Sequence, residues 1–279
     1  MKTVTTITEF RNIAAQWKKD GNSIGFVPTM GYLHEGHGSL ISRASENDKV
    51  VVSIFVNPMQ FGKNEDLGSY PRDFEKDCEL CESLGTDLVF HPEPSELYTP
   101  EFHSFVDMSM LTENLCGASR PGHFRGVCTV VNKLFNIVKP DRAYFGEKDA
   151  QQLAVIKRMV QDLNIDVEII GCPIVRDPDG LAKSSRNTYL SHDERKAALI
   201  LSKAVNYAET MVAHGETDSK TVTSTMTEII LGEPLARIDY VKAVSSLTME
   251  DTDIIAPQTL IAIAVFIGKT RLIDNLIVK

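Results

Sequence analysis

The sequence predicts an α/β fold, a doubly wound parallel sheet followed by a smaller C-terminal α+β domain. Strand-like and helix-like segments alternate through the first 175 residues, the rhythm of βαβ units. The run Lys49–Val56 (KVVVSIFV) is rich in β-branched residues and suits a central strand buried on both faces. The alternation then stops near residue 176, at the turn cluster Asp177-Pro178-Asp179-Gly180.

Taken in order, Ser23–Thr29 (SIGFVPT) is a short apolar strand and Gly36–Ala44 the helix that follows it. After Lys49–Val56 come a helix over Phe74–Leu84 and a strand over Asp87–His91. Gly126–Val138 is an apolar-faced helix stopped by Pro140. A strand at Arg142–Phe145, an amphipathic helix at Asp149–Leu163 and a strand at Asp166–Val175 complete the sheet. Beyond it, Ser191-His192-Asp193-Glu194 reads as a capping box opening a helix to about residue 213. A second helix covers roughly Asp218–Leu231, and Ile238–Val244 and Leu260–Ile267 are strand-like. The expected domains are therefore 1–175 and 176–279. In open parallel sheets, ligands bind at the carboxyl ends of the strands.

Composition narrows the function classes. The chain has 279 residues, 43% of them hydrophobic, which is ample for a packed core. A net charge of −9 leaves no basic footprint for nucleic acid. Anionic substrates remain open, because a few local cations and helix ends bind phosphate inside acidic proteins. The start MKTVTTITEF lacks the apolar run of a signal peptide, and Leu260–Ile267 is far too short to span a bilayer. Five cysteines cannot all pair within one chain, so a reducing, cytoplasmic setting is expected. Cys78 and Cys81 form a C-x-x-C on the Phe74–Leu84 helix. Two partly buried helix thiols is the favoured reading, since no second ligand pair completes a tetrahedral site.

The chemistry concentrates after the first apolar strand, in Pro28-Thr-Met-Gly-Tyr-Leu-His34-Glu-Gly36-His37. Two histidines three apart share a helix face, at a helix start with backbone N–H groups and the positive dipole end. That combination suits a triphosphate, and Gly36 lets a flat purine approach the backbone. Two surface histidines in a polar loop are the alternative.

His34-Glu-Gly36-His37 resembles the His-x-Gly-His signature of the nucleotidyltransferases related to class I aminoacyl-tRNA synthetases, which are Rossmann-like. The longer PTMGYLHEGH is similar to the form in the pantothenate synthetase (pantoate–β-alanine ligase) family. Phe55-Val-Asn57-Pro58-Met-Gln60-Phe61, Tyr70-Pro71-Arg72, Arg120-Pro-Gly-His123-Phe124, Gly146-Glu147-Lys148-Asp149 with Gln151-Gln152, and Ser184-Ser185-Arg186-Asn187 agree in order. The resemblance runs from about residue 3 to 279.

It implies that ATP and pantoate give pantoyl adenylate and pyrophosphate, and that β-alanine then gives pantothenate and AMP. By resemblance, ATP lies against Met30, Gly31, Tyr32, Leu33, His34, Glu35, Gly36 and His37, with His37 the catalytic proton donor. Gly146, Glu147, Lys148 and Asp149 frame the nucleotide, Lys148 as a point charge on the phosphates, and Val175 adds a contact. Ser184, Ser185 and Arg186 are similar to a mobile phosphate-gripping loop. Lys183 stands where the family often has methionine, and a modest ATP contact is expected of it. Gln60 and Gln152 are the pantoate candidates, Gln60 also for β-alanine, because an amide both donates and accepts.

Met30, Phe61 and Val131 are candidates for the apolar wall that a gem-dimethyl group needs, although core is the better reading of Val131. Asn57 either caps the strand end or touches substrate. Arg120 and His123 line the entrance, or Arg120 pairs with an acidic residue. Mg2+ accompanies ATP; Asp77 and Asp149 are possible contributors and the metal ligands stay unassigned. The resemblance also implies a homodimer, with no nucleic-acid or membrane partner. A cytidylyltransferase with the same histidine motif is the nearest rival, but such enzymes lack the NPMQF and GEKDAQQ segments. A nucleotide-sensing module is the non-enzyme rival, opposed by intact His37, Lys148 and Arg186.

Overall fold

The computed structural model of the chain describes residues 1–63 and 65–279. In chain order the strands are β1 (Lys2–Val4), β2 (Ile24–Thr29), β3 (Lys49–Ile54), β4 (Leu88–Phe90), β5 (Arg142–Gly146), β6 (Glu168–Cys172), β7 (Ala236–Ser245), β8 (Thr259–Ile267) and β9 (Thr270–Ile277). The helices are α1 (Ile7–Lys19), α2 (Glu35–Ala44), α3 (Phe74–Ser83), α4 (Pro94–Leu97), α5 (Leu115–Ser119), α6 (His123–Val138), α7 (Ala150–Asp162), α8 (His192–Ala197), α9 (Leu199–Ala213) and α10 (Ser219–Leu231). Two compact units emerge. The first holds Met1–Met108, Arg120–Glu147 and Val155–Pro173; the second holds Ser109–Ser119, Lys148–Ala154 and Ile174–Lys279.

The first unit carries the expected parallel sheet, in the order β1-β4-β3-β2-β5-β6. Val50, Val51 and Val52 of β3 are all buried, which is why this strand reads as a continuous apolar run. The strand order reverses between β2 and β5. Those two pair only at Gly25–Arg142 and Phe26–Ala143, so their carboxyl ends part and leave the crevice where such sheets bind ligands. Gly25 lets α2 close onto β2: a Cβ there would lie 2.7 Å from the Ala44 carbonyl oxygen. Asn47 then ties the end of α2 to the sheet, donating to the Ala44 carbonyl at 2.9 Å and to the Tyr144 hydroxyl at 2.7 Å.

α6 shows what starts and stops a helix here. Gly122 precedes it with φ 82°, and Lys139 ends it in the left-handed region at φ 50°, just before Pro140. The helix begins three residues earlier than its apolar pattern suggests, at His123. β6 is shorter than the Asp166–Val175 run predicts, ending at Cys172. Cys78 and Cys81 lie on α3, and burial pushes the Cys81 thiol up to about 12, so this C-x-x-C is a pair of unactivated helix thiols.

In the second unit β7, β8 and β9 form an antiparallel sheet. From Leu260 onward β8 is apolar because its two faces feed two cores. Ile261, Ile263, Val265 and Ile267 pack with Leu201, Val205, Met226 and Ile230 of α9 and α10. Leu260 and Ala262 pack on the other face with Leu115 and Met249. The capping box at Ser191 and Glu194 forms, but the helix expected to run to residue 213 is divided at Ala198 into α8 and α9. Arg176 anchors the turn that follows residue 176: it bonds Asp274 of β9 at 2.6 and 2.8 Å and the Gly180 carbonyl at 3.1 Å. No helix of the described residues is long and apolar enough to cross a membrane.

Candidate active site

The site grows from the loop between β2 and α2. Gly31 and Tyr32 both take positive φ, 85° and 51°, to turn the chain from the strand into the helix. Asp77 of α3 holds that turn in place. Its two carboxylate oxygens accept the Tyr32 N–H at 2.8 Å and the Leu33 N–H at 2.6 Å. Burial raises the Asp77 carboxyl, and the two backbone bonds oppose that rise. Asp77 thus serves as a brace, each of its oxygens accepting one backbone N–H of the turn.

His34 and His37 cap α2 reciprocally. His34 Nδ1 accepts the Gly36 N–H at 3.1 Å, and His37 Nδ1 accepts the His34 N–H at 3.3 Å. The rings lie 4.1 Å apart, centroid to centroid. Because each Nδ1 is an acceptor, each neutral imidazole carries its proton on Nε2. Two helix-start N–H groups are therefore taken by the histidines, whose ring protons lie on Nε2. Gly146 and Glu147, at the end of β5, are the half-buried residues on the other side of the strand-order reversal.

Gln60 sits in the short 3-10 turn Pro58–Gln60 at the end of β3 and is 9% exposed. Asn57 caps that turn, accepting the Met59 N–H at 3.3 Å and donating to the Gly126 carbonyl at 3.1 Å. Backbone groups have no alternative role, so the Asn57 amide has one orientation. Its Nδ2 also meets Gln60 Oε1 at 3.0 Å, and the Tyr98 hydroxyl donates to its Oδ1 at 2.8 Å. Gln60 accepts from Asn57 and turns its NH2 the other way, 3.2 Å from the Met30 sulfur. What Gln60 offers is therefore a donor, suited to a carboxylate or hydroxyl oxygen. Of the apolar candidates, Met30 and Phe61 are half-buried, whereas Val131 is 5% exposed inside α6 and belongs to the core.

The second unit holds the remaining candidates. Lys148 lies 3.7 Å from Asp149, and its carbonyl accepts Asn275 Nδ2 at 2.9 Å. Gln151 is occupied structurally, accepting the Cys116 N–H at 2.9 Å and donating to the Leu111 and Asn114 carbonyls at 2.9 and 2.8 Å. Gln152 beside it is half-buried. Ser184 caps the turn Ser185–Tyr189 by accepting the Arg186 N–H at 3.3 Å. Lys183 pairs with Asp177 at 2.6 Å, and its N–H bonds the Val175 carbonyl at 2.9 Å. A phosphate contact from Lys183 has to compete with that ion pair.

A family model described as pantoate-beta-alanine ligase matches residues 2–277. The chain belongs to the pantoate–β-alanine ligase family. Pantothenate synthetase of Ruminiclostridium cellulolyticum is 64% identical over 275 residues, covering 99% of this chain and 98% of that protein. Pantothenate synthetase of Enterococcus faecalis is 61% identical over 271 residues, covering 97% and 96%. The crystal structure of pantothenate synthetase from Thermus thermophilus superposes with a TM-score of 0.94 at 44% identity, covering 99% of each chain. Pantoate-beta-alanine ligase from Francisella tularensis, complexed with beta-gamma ATP and beta-alanine, superposes with a TM-score of 0.82 at 36% identity, covering 99% and 97%.

Within this ligase, the first unit gathers His34, His37, Gln60 and Asn57 around the carboxyl ends of its central strands. Two contributors stand outside the roles that the sequence motifs assign: Asp77 as a brace, and Tyr98, whose hydroxyl fixes the Asn57 amide. The brace gives a direct prediction. Asp77→Asn leaves one acceptor for two N–H groups and sets an NH2 against the other. Replacement should lower stability by about 1–2 kcal/mol and raise KM for ATP severalfold, read by thermal unfolding and steady-state kinetics. An unchanged melting temperature with an unchanged KM would remove the brace from the site.

Proposed function

We propose that the chain joins pantoate to β-alanine with ATP, through a pantoyl adenylate, releasing pyrophosphate and then AMP. The observation that carries this reading is the pair of Nε2–H donors fixed by the His34–His37 capping box, in the same unit as a Gln60 amide oriented to donate. Adenylation brings an anionic carboxylate against an anionic α-phosphate. Donors fixed in advance lower that barrier because they need no reorganisation as charge develops.

In this reading a pantoate carboxylate oxygen attacks the α-phosphorus and pyrophosphate leaves. His37 donates from Nε2 to a phosphate oxygen as charge builds, and His34 binds the phosphates. Lys148, Ser184, Ser185 and Arg186 are assigned to the phosphates, Gly146, Glu147 and Asp149 to the nucleotide, and Gln60 and Gln152 to pantoate. The amine of β-alanine, placed with help from Gln60, then attacks the acyl carbonyl; the acyl C–O bond breaks, AMP leaves carrying that oxygen, and the nitrogen gives up its proton to solvent. Val175 and Lys183 are assigned only a supporting nucleotide role.

Mg2+ enters as the counter-ion of ATP. Among the described residues no group of three His, Cys, Asp or Glu is preassembled for a metal, which suits an ion carried by phosphate oxygens and water. A homodimer in the cytoplasm belongs to the same reading. The test is to mix purified protein with ATP, pantoate and β-alanine. AMP and pantothenate should appear in equal amounts, and AMP without pantothenate, or neither, would reject the assignment.

A further inference from the structure

The main chain of the Gln60 turn ends a hydrogen-bond chain that begins on a carboxylate. Glu65 accepts two bonds from Arg120, from Nε at 2.8 Å and from Nη2 at 2.5 Å. Arg120 Nη1 lies 3.0 Å from His123 Nε2, and His123 Nδ1 lies 2.9 Å from the Gln60 carbonyl oxygen. A guanidinium only donates. His123 Nε2 is therefore the acceptor, the proton of the neutral ring is on Nδ1, and that proton is donated to Gln60. All three side chains are largely enclosed, with 15% exposure left to Arg120, 23% to Glu65 and 9% to His123. Burial works against the charge of Glu65, but the bond and charge of Arg120 hold its carboxyl below the usual range. A bidentate pair of this kind fixes geometry as well as charge.

We propose that Glu65, Arg120 and His123 form a positioning relay for the hydroxy-acid subsite. The proposal rests on the reading of Gln60 as a pantoate contact. Asn57 and Tyr98 decide which way the Gln60 amide faces; the relay decides where the Gln60 backbone sits. Glu65 follows Gln60 closely in the chain, so the Arg120–His123 segment holds both residues, Glu65 through Arg120 and the Gln60 carbonyl through His123. None of the three needs to touch substrate for this. Loss of the relay should loosen pantoate binding and leave the nucleotide contacts alone.

His123→Leu removes both ring contacts. His123→Asn keeps a donor near the Nδ1 position and loses the link to Arg120. Steady-state kinetics with each substrate varied in turn, and Gln60→Ala run in parallel, separate the outcomes. His123→Leu should raise KM for pantoate about tenfold, the size of one net hydrogen bond, with KM for ATP within about twofold. His123→Asn should recover most of that loss. Glu65→Gln should raise KM for pantoate selectively, by about threefold, and carries the test if His123→Leu does not fold. An unchanged pantoate KM in the relay variants, while Gln60→Ala raises it, overturns the relay. So does an equal rise for all three substrates, or a rise confined to β-alanine. If Gln60→Ala itself leaves pantoate KM unchanged, the subsite reading fails and the relay falls with it.

Discussion

His37→Ala should slow single-turnover formation of pantoyl adenylate by about 10²–10⁴-fold, the range for a positioned acid or fixed charge stabiliser. That is roughly 3–5 kcal/mol of barrier. The same substitution also removes half of the reciprocal cap on α2, since His37 Nδ1 accepts the His34 N–H. A lost cap costs about 1 kcal/mol of stability, too little to account for the kinetic effect. The two contributions separate with His37→Asn, whose side-chain oxygen can still accept the His34 N–H but which has no donor at the Nε2 position. It should melt near the wild type and remain slow. His34→Ala should act mainly on KM for ATP, because its ring binds phosphate in this reading. The measurement is rapid quenching with ATP and pantoate in the absence of β-alanine. A near-normal rate in His37→Ala would take His37 out of the chemistry.

How much of this was legible in the sequence differs by element. β2 and β3 announce themselves because parallel strands buried on both faces are apolar throughout. β9 does not, because Asp274 sits 2% exposed in its middle, and the Arg176 that makes this tolerable lies 98 positions away. The division at Ala198 has no proline or glycine to mark it. α1, by contrast, carried a usable signal: Thr6 accepts the Glu9 N–H as an N-cap, and Phe10 and Ala14 follow on the buried face. The three-residue β1 is too short for any periodicity.

The site divides along the same line. Candidates inside contiguous motifs, such as His34, His37, Gln60 and Lys148, can be named from local order alone. The residues that hold them cannot. Asp77 reaches Tyr32 from 45 positions away, Tyr98 reaches Asn57 across 41, and Glu65 meets Arg120 across 55. Each is an ordinary polar residue in its local context, and only the fold supplies its partner. Arg120 illustrates the choice that sequence leaves open: the structure realises the ion pair with an acidic side chain.

Gly126→Ala should be the most damaging small change to the Pro58–Gln60 turn. By helix propensity alone the substitution in α6 would stabilise by up to about 1 kcal/mol. The packing predicts the opposite sign. A Cβ at Gly126 would overlap the Met59 carbonyl oxygen and lie 2.5 Å from the Met59 carbonyl carbon and 2.6 Å from Gln60 Cα. These are backbone atoms, so no side chain can swing aside; either α6 or the Pro58–Gln60 turn has to move. Overpacking of this kind costs about 1–3 kcal/mol, occasionally more, and here it should exceed the propensity gain. Movement of the turn would also break the Asn57 bond to the Gly126 carbonyl and with it the orientation of Gln60. KM for pantoate should rise at least about tenfold, one hydrogen bond's worth or more, and the melting temperature should fall by several degrees, at roughly 2–4 °C per kcal/mol. Gly38→Ala in α2 is the internal control, because its Cβ would meet only the tip of the Leu84 side chain, at 3.2 Å. It should be close to neutral. A Gly126→Ala protein as stable as the wild type, with unchanged pantoate KM, would mean that α6 does not seat against the Gln60 turn.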